Sequence, residues 1–255
     1  MANGRDLRVL TVDQGNSSAK AVVWLGDNPV SSLRVFDVSI EALLPVISEG
    51  ELDGCVYCNV GHSDAKFLET LRRLVDGNLI VLTPSTPLPI RVEYGSRRSL
   101  GADRVAAAAG AAALFPGEGA LVVDAGTAVT VDVLDAAPAF LGGNIAPGMS
   151  LRFSSLHDFT SRLPLVDPDG PVPDFGSDTT TAIRAGVVGG MVAEIADAFG
   201  VARRDFGCAR IVITGNDAPA LLPHLLKRDL PVVHCPNLVG LGLLSVFRHN
   251  YDSQQ

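Results

Sequence analysis

Cysteine is scarce, with four residues in 255 (Cys55, Cys58, Cys208 and Cys235). That is too few to staple a chain of this size, so reduced thiols are expected. Positive charge is scarce as well. Lys and Arg number 20 against 28 Asp and Glu, a formal net charge of -8, which leaves no basic footprint of the kind a nucleic-acid backbone requires. A small anionic ligand remains admissible, because backbone amides, one or two cations and metal ions hold such groups locally. Three familiar signatures are missing: Gly-x-x-x-x-Gly-Lys-(Ser/Thr), Gly-x-Gly-x-x-Gly after a strand, and Gly-x-Ser-x-Gly. Neither a P-loop, a Rossmann site nor a nucleophile elbow is indicated. The five histidines, His62, His157, His224, His234 and His249, show no metal-ligand spacing. Met1 to Leu10 carries no apolar segment behind a basic one, and the apolar runs stop short of a bilayer span. The expectation is a cytoplasmic protein without a membrane or nucleic-acid partner.

What is present is apolar. Hydrophobic residues make up 47% of the chain, enough for one large core or two modest ones, and two domains are favoured at this length. Leu7 to Val12 reads as a strand, Asp13 to Ser18 as a polar turn and Ala19 to Leu25 as a second strand. The pattern returns at Ala120 to Val123, Asp124-Ala125-Gly126-Thr127 and Ala128 to Leu134, which points to an internally duplicated α/β protein. Between the copies lie candidate helices at Ile40 to Ser48 and Ala65 to Asp76, strands at Gly54 to Val60 and Leu79 to Leu82, and the Pro-rich connection Thr83 to Ile90. An alanine-rich helix, Val105 to Phe115, follows the step Gly101-Ala102-Asp103-Arg104 and stops at Pro116-Gly117. The boundary is placed there, giving domains 1–116 and 117–255. Beyond it come a hairpin strand near Phe140 to Ile145, helices at Ser150 to Thr160 and Thr179 to Phe199, and a loop from Pro164 to Gly176. The strand Arg210 to Thr214 ends at Gly215-Asn216-Asp217, and Ala218 to Lys227 (helix), Val232 to Cys235 (strand) and Leu238 to Phe247 (helix) close the chain.

An Asp-x-Gly turn between strands offers a carboxylate for hydrated Mg²⁺ and a glycine that lets amides approach a phosphate. Asn16, Ser17 and Ser18 add short donors, and Lys20 a positive charge for a phosphoryl group. The same residues also make ordinary hairpin turns. Asp103 has two readings of equal weight: a helix cap, or a general base for an attacking hydroxyl with Arg104 beside it. Cys55-Val-Tyr-Cys58 lies in a strand-like stretch, where a separation of three puts the thiols on opposite faces and spoils joint metal ligation.

Taken in order, these motifs resemble the type III pantothenate kinase family of the acetate and sugar kinase, Hsp70 and actin superfamily. Asp13-Gln14-Gly15-Asn16-Ser17 is similar to the family's Asp-x-Gly-Asn-Thr turn, and Gly101-Ala102-Asp103-Arg104 to its Gly-x-Asp-Arg mark. Pro89-Ile90 and Tyr94 precede that mark, and Val122-Val123-Asp124-Ala125-Gly126-Thr127-Ala128 follows it. Leu141-Gly142-Gly143-Asn144-Ile145-Ala146-Pro147-Gly148 resembles the family's Gly-Gly-x-Ile-x-Pro-Gly loop. The resemblance implies two duplicated ribonuclease H-like (actin-like ATPase) domains with a cleft between them, and ATP-dependent phosphorylation of the pantothenate 4′-hydroxyl, the first step towards coenzyme A. It implies Asp103 as the base, and Asp13, Gln14, Gly15, Asn16, Ser17, Ser18, Ala19 and Lys20 around the ATP phosphates. Asp13 would hold Mg²⁺, Thr127 would contact the nucleotide, and Asp124 would bind K⁺ or NH₄⁺. Tyr94, Gly101, Ala102, Asp103 and Arg104 would hold pantothenate, with Thr179 reaching the substrate from the partner subunit of a homodimer. Two alternatives stand beside it: an accessory transcriptional relative of the same fold, or a kinase for another small alcohol.

Overall fold

The computed structural model describes residues 6–59 and 64–253. Val60, the end of one expected strand, and His62 lie outside the described residues, as do Met1 to Arg5. The chain begins with strands β1 (Arg8–Gln14) and β2 (Ala19–Leu25), then β3 (Asn28–Val35), helix α1 (Ile40–Ile47), β4 (Gly54–Asn59), α2 (Ala65–Leu74), β5 (Leu79–Val81), the short β6 (Arg91–Val92) and α3 (Ala102–Leu114). Leu10, Val12, Ala21 and Val23 are buried, and so are Val9, Thr11, Val22 and Trp24. Since strand neighbours point to opposite faces, this sheet is covered on both. Leu10, Val12, Cys55 and Tyr57 pack with Leu43, Val46, Phe67 and Leu71 of α1 and α2. The opposite face meets α3 and the last helix, α7 (Leu238–Asp252).

The order in this sheet is β3-β2-β1-β4-β5. Its first three strands are antiparallel, while β4 and β5 continue parallel to β1. The second half repeats the arrangement with β7 (Ala120–Ala125), β8 (Ala128–Leu134), β9 (Ala139–Pro147), α4 (Met149–Asp158), α5 (Thr179–Phe206), β10 (Arg210–Thr214), α6 (Ala218–Leu226) and β11 (Val232–His234). There β9, β8 and β7 are antiparallel neighbours, and β10 and β11 run parallel to β7. Equal strand order and equal strand directions in both halves are the structural form of the duplication.

Two compact units result, one holding the chain to Leu114 together with the chain from Asn237 onward, the other Phe115–Pro236. The first break falls close to the one expected at 116. The second is a correction, since α7 belongs with the first unit rather than the second. The reason is glycine. A β-carbon on Gly242 would stand 1.7 Å from the Ala106 carbonyl oxygen, and one on Gly110 would stand 2.3 Å from that of Leu238. The backbones of α3 and α7 therefore meet along a seam of small residues that admits nothing larger.

α5 corrects a second expectation. It runs to Phe206, beyond the expected Phe199, and stops where Gly207 adopts a left-handed conformation at φ 69°. By length and composition it could cross a bilayer. Here Ile183, Val187, Met191, Val192, Ile195 and Phe199 are buried in the core of the second unit, against α4, α6 and strands β7, β8 and β10.

Candidate functional site

In the first unit the β1–β2 hairpin presents the first Asp-x-Gly turn. Asp13 pairs with Lys20 and Gln14 with Ala19, and the Gly15 N–H donates to the Ser18 carbonyl at 3.0 Å. Gly15, Asn16 and Ser17 are exposed. Gln14 points to the α1/α2 face, where its amide oxygen accepts from the Tyr57 hydroxyl. The Ala19 methyl is buried in that core, so only its backbone can serve a ligand. Lys20 is in turn in register with Arg34 of β3, which sets Asp13, Lys20 and Arg34 in a row on one face. Arg34 Nη1 donates to Ser18 Oγ at 3.3 Å. The sequence reading does not include Arg34, because its partner is set by the β2–β3 register, which local alternation does not fix.

Asp13 is also in register with Cys58 on β4. Burial foremost, then the Asp13 and Asp103 carboxylates, push the Cys58 thiol up. Cys55 faces the other core, and the two thiols share no site. Asp103 sits in the first turn of α3, where its Oδ1 accepts from the Arg104 N–H at 2.9 Å. A β-carbon on Gly101 would lie 2.4 Å from that Oδ1; glycine there makes room for the carboxylate. Asp103 thus touches a helix-end amide, and its carboxylate lies in the space that Gly101 leaves open. Arg104 is 5% exposed, with its guanidinium carbon 5.8 Å from the centre of the Tyr94 ring, a cation–π contact.

The second unit repeats the turn between β7 and β8. Gly126 N–H donates to the Ala128 carbonyl, and the Gly148 N–H to that of Thr127, both at 3.0 Å. Gly148 has no room for a side chain, since a β-carbon would lie 2.0 Å from the Gly126 oxygen. The turn after β10 closes on the same place. Gly215 adopts φ 94°, and a β-carbon there would lie 2.2 Å from the Ala125 oxygen; that oxygen accepts from the Asp217 N–H at 2.9 Å. Asp124 is half-buried at the end of β7, and Thr127 is exposed. Thr179 is the exposed first residue of α5, behind a capping box formed by Asp178 and Thr181. The Thr181 N–H, above all, holds the Asp178 carboxyl below the usual range. Among the described residues, no group of three or more His, Cys, Asp or Glu is placed to hold a metal ion by itself.

Two ribonuclease H-like units, each with an Asp-x-Gly hairpin turn, give the chain the fold that actin-like ATPases and sugar kinases share. Solved structures agree on the fold. A Campylobacter jejuni protein assigned to the Baf family of transcriptional activators superposes with a TM-score of 0.65 at 23% identity, covering 95% of this chain and 99% of that one. The activator of 2-hydroxyisocaproyl-CoA dehydratase from Clostridium difficile, with bound ADPNP, gives 0.54 at 13% identity, covering 97% of each. The sequence profile of type III pantothenate kinase matches residues 9–200. The type III pantothenate kinase of Porphyromonas gingivalis is 39% identical over 245 residues, 94% of this chain and 98% of that protein. The Flavobacterium johnsoniae enzyme of the same name is 36% identical over 221 residues, 85% and 89% of the respective chains. The chain belongs to the type III pantothenate kinase family, and the family makes it a kinase.

Proposed function

We propose that this protein transfers the terminal phosphoryl group of ATP to the 4′-hydroxyl of pantothenate, giving 4′-phosphopantothenate in the first step of coenzyme A biosynthesis. The observation that carries the reading is the placement of Asp103 in the first turn of α3, with its carboxylate accommodated by Gly101. Phosphoryl transfer asks the protein for charge neutralisation, in-line positioning and a base at the nucleophile. Asp103 is that base, taking the proton of the attacking hydroxyl onto its carboxylate. Lys20 and the exposed Asn16 and Ser17 of the first turn hold the ATP phosphates, and Thr127 contacts the nucleotide. Arg104, buried beside Tyr94, offers a guanidinium suited to a substrate that is itself a carboxylate.

The glycines support a ligand at both turns. Neither Gly15 nor Gly126 has a positive φ, and a β-carbon would meet its nearest neighbour at 3.4 Å and 3.7 Å respectively. The chain itself makes no demand for glycine at either position, whereas close approach of a phosphate to backbone amides does. Mg²⁺ fits the first turn by donor chemistry, since Asp13 and phosphate oxygens are hard ligands of the kind it takes. When bound, it neutralises charge on the phosphates. A monovalent cation, K⁺ or NH₄⁺, would take Asp124 as an oxygen ligand, its Oδ1 lying beside Gly126 of the turn.

Thr179, exposed at the start of α5, completes the substrate site of a partner subunit in a homodimer. The setting is cytoplasmic, with no nucleic-acid or membrane partner. The Campylobacter relative keeps the accessory-factor reading in view, but at 23% identity it speaks for the fold alone, whereas relatives named as pantothenate kinases are more similar. Formation of 4′-phosphopantothenate from ATP, Mg²⁺ and pantothenate, in K⁺ and in Na⁺, tests the proposal. Turnover that needs K⁺ is the expected result. Folded, dimeric protein that is inactive in both salts would return the choice to an accessory factor or another alcohol.

A further inference from the structure

We infer that Asp217 is the positioning residue of the nucleotide turn, locking the β7–β8 hairpin to the start of α4 so that Thr127 is presented in one fixed orientation. The inference rests on the reading that this turn contacts ATP. Asp217 stands at the N-cap of α6, where an aspartate ordinarily accepts from its own helix. Its side chain makes no such bond. Instead, Asp217 Oδ2 accepts from the Met149 N–H at 3.2 Å, across 68 residues of sequence. Met149 opens α4, whose own N-cap is Gly148, a residue with no side chain to cap with. Asp217 thus gives up capping its own helix and caps another.

The bonds close a circuit around the hairpin. The Asp217 N–H holds the Ala125 carbonyl at 2.9 Å on one side of the turn, and the Gly148 N–H holds the Thr127 carbonyl at 3.0 Å on the other. Asp217 Oδ2 joins the two sides through Met149. Gly215 and Gly148 allow this closeness, because a β-carbon on either would collide with the backbone of the hairpin. Burial raises the Asp217 carboxyl above its ordinary range against the opposing pull of the Met149 N–H, so the acceptor is partly withdrawn from water. Removing it leaves the Met149 amide without this acceptor and the hairpin tied on one side only.

The test is direct binding of Mg²⁺-ATP by calorimetry to the wild-type protein, Asp217→Ala and Asp217→Asn, together with steady-state kinetics. Asp217→Ala is expected to weaken ATP binding about tenfold while the KM for pantothenate at saturating ATP changes less than about twofold, the split that misplacement of one ligand's contact produces. Asp217→Asn keeps an oxygen for the Met149 N–H and is expected to stay within about threefold of wild type. Folded Asp217→Ala that binds ATP as wild type does, or an equal loss in Ala and Asn, overturns the inference. If Asp217→Ala fails to fold, Asp217→Glu decides: its carboxylate is displaced by one methylene, several-fold weaker ATP binding is expected, and wild-type affinity overturns the inference. The Asp217 pattern in a protein that binds ATP but does not phosphorylate pantothenate sinks the pantothenate reading and leaves this inference standing. A wild-type protein that binds no ATP sinks both.

Discussion

Gly101 and Asp103 are fitted to one another, with the Asp103 carboxylate turned back into the space that a β-carbon on Gly101 would fill at 2.4 Å. The carboxylate stays there by accepting from the Arg104 N–H. Two substitutions separate placement from chemistry. Asp103→Asn keeps the size and an oxygen acceptor but cannot take a proton, and it is expected to lower kcat by about 100-fold or more with an unchanged melting temperature. Gly101→Ala keeps the acid and moves it, for an expected loss of about 100-fold in kcat. Near-normal turnover in folded Asp103→Asn removes Asp103 as the base.

Gly15 and Gly126 invite the opposite experiment. A methyl group fits at both positions in the chain as it stands, so Gly15→Ala and Gly126→Ala are expected to leave thermal stability nearly unchanged. Each is expected to raise the KM for ATP by about tenfold, through the steric cost of a methyl where a phosphate approaches the backbone. Retained ATP affinity in either variant would show that its turn is a plain hairpin.

The seam between α3 and α7 predicts a large stability effect away from the site. Gly242→Ala places a methyl 1.7 Å from the Ala106 carbonyl oxygen, backbone that cannot swing aside, and is expected to cost about 3 kcal/mol or more. Gly186 in α5 is the control, with nothing within 4 Å of an added β-carbon. Gly186→Ala is expected to stabilise the protein by about 0.5–1 kcal/mol. Urea unfolding of the pair checks the contrast, and equal midpoints would contradict the seam.

These cases also show what a linear reading can reach. Strand, turn and strand at Asp13 and Asp124 were legible because alternation and turn residues are local signals. β3 was not, since it carries Pro29 and two serines and lies at the sheet edge, where few of its side chains are buried. The place of α7 escaped for another reason: Gly240 and Gly242 read as ordinary helix glycines until Ala106 is seen beside one of them. Arg34 and Asp217 belong to this second kind, because each acquires its partner through register or long-range contact. Gly101-Ala102-Asp103-Arg104 is local enough for its pattern to be read, though the reason for its glycine is visible only in three dimensions.

The buried thiols give the protein an alkaline limit with a defined sign. Burial pushes the Cys55 thiol far above its ordinary range, and Cys58 is raised for the same reason, with the Asp13 and Asp103 carboxylates adding to it. Both thiols remain protonated in the folded state while the unfolded chain ionises near pH 9. Their contribution is therefore fully present below that pH and is lost as pH rises towards the raised folded values. Above pH 9 each thiol is expected to lower unfolding free energy by about 1.4 kcal/mol per pH unit. Cys55→Ala removes one of the two without touching the site, and its stability should fall less steeply between pH 9 and 10.5, by that same slope. Urea unfolding at stepped pH measures the difference, and parallel curves for Cys55→Ala and wild type would mean that Cys55 ionises as readily folded as unfolded.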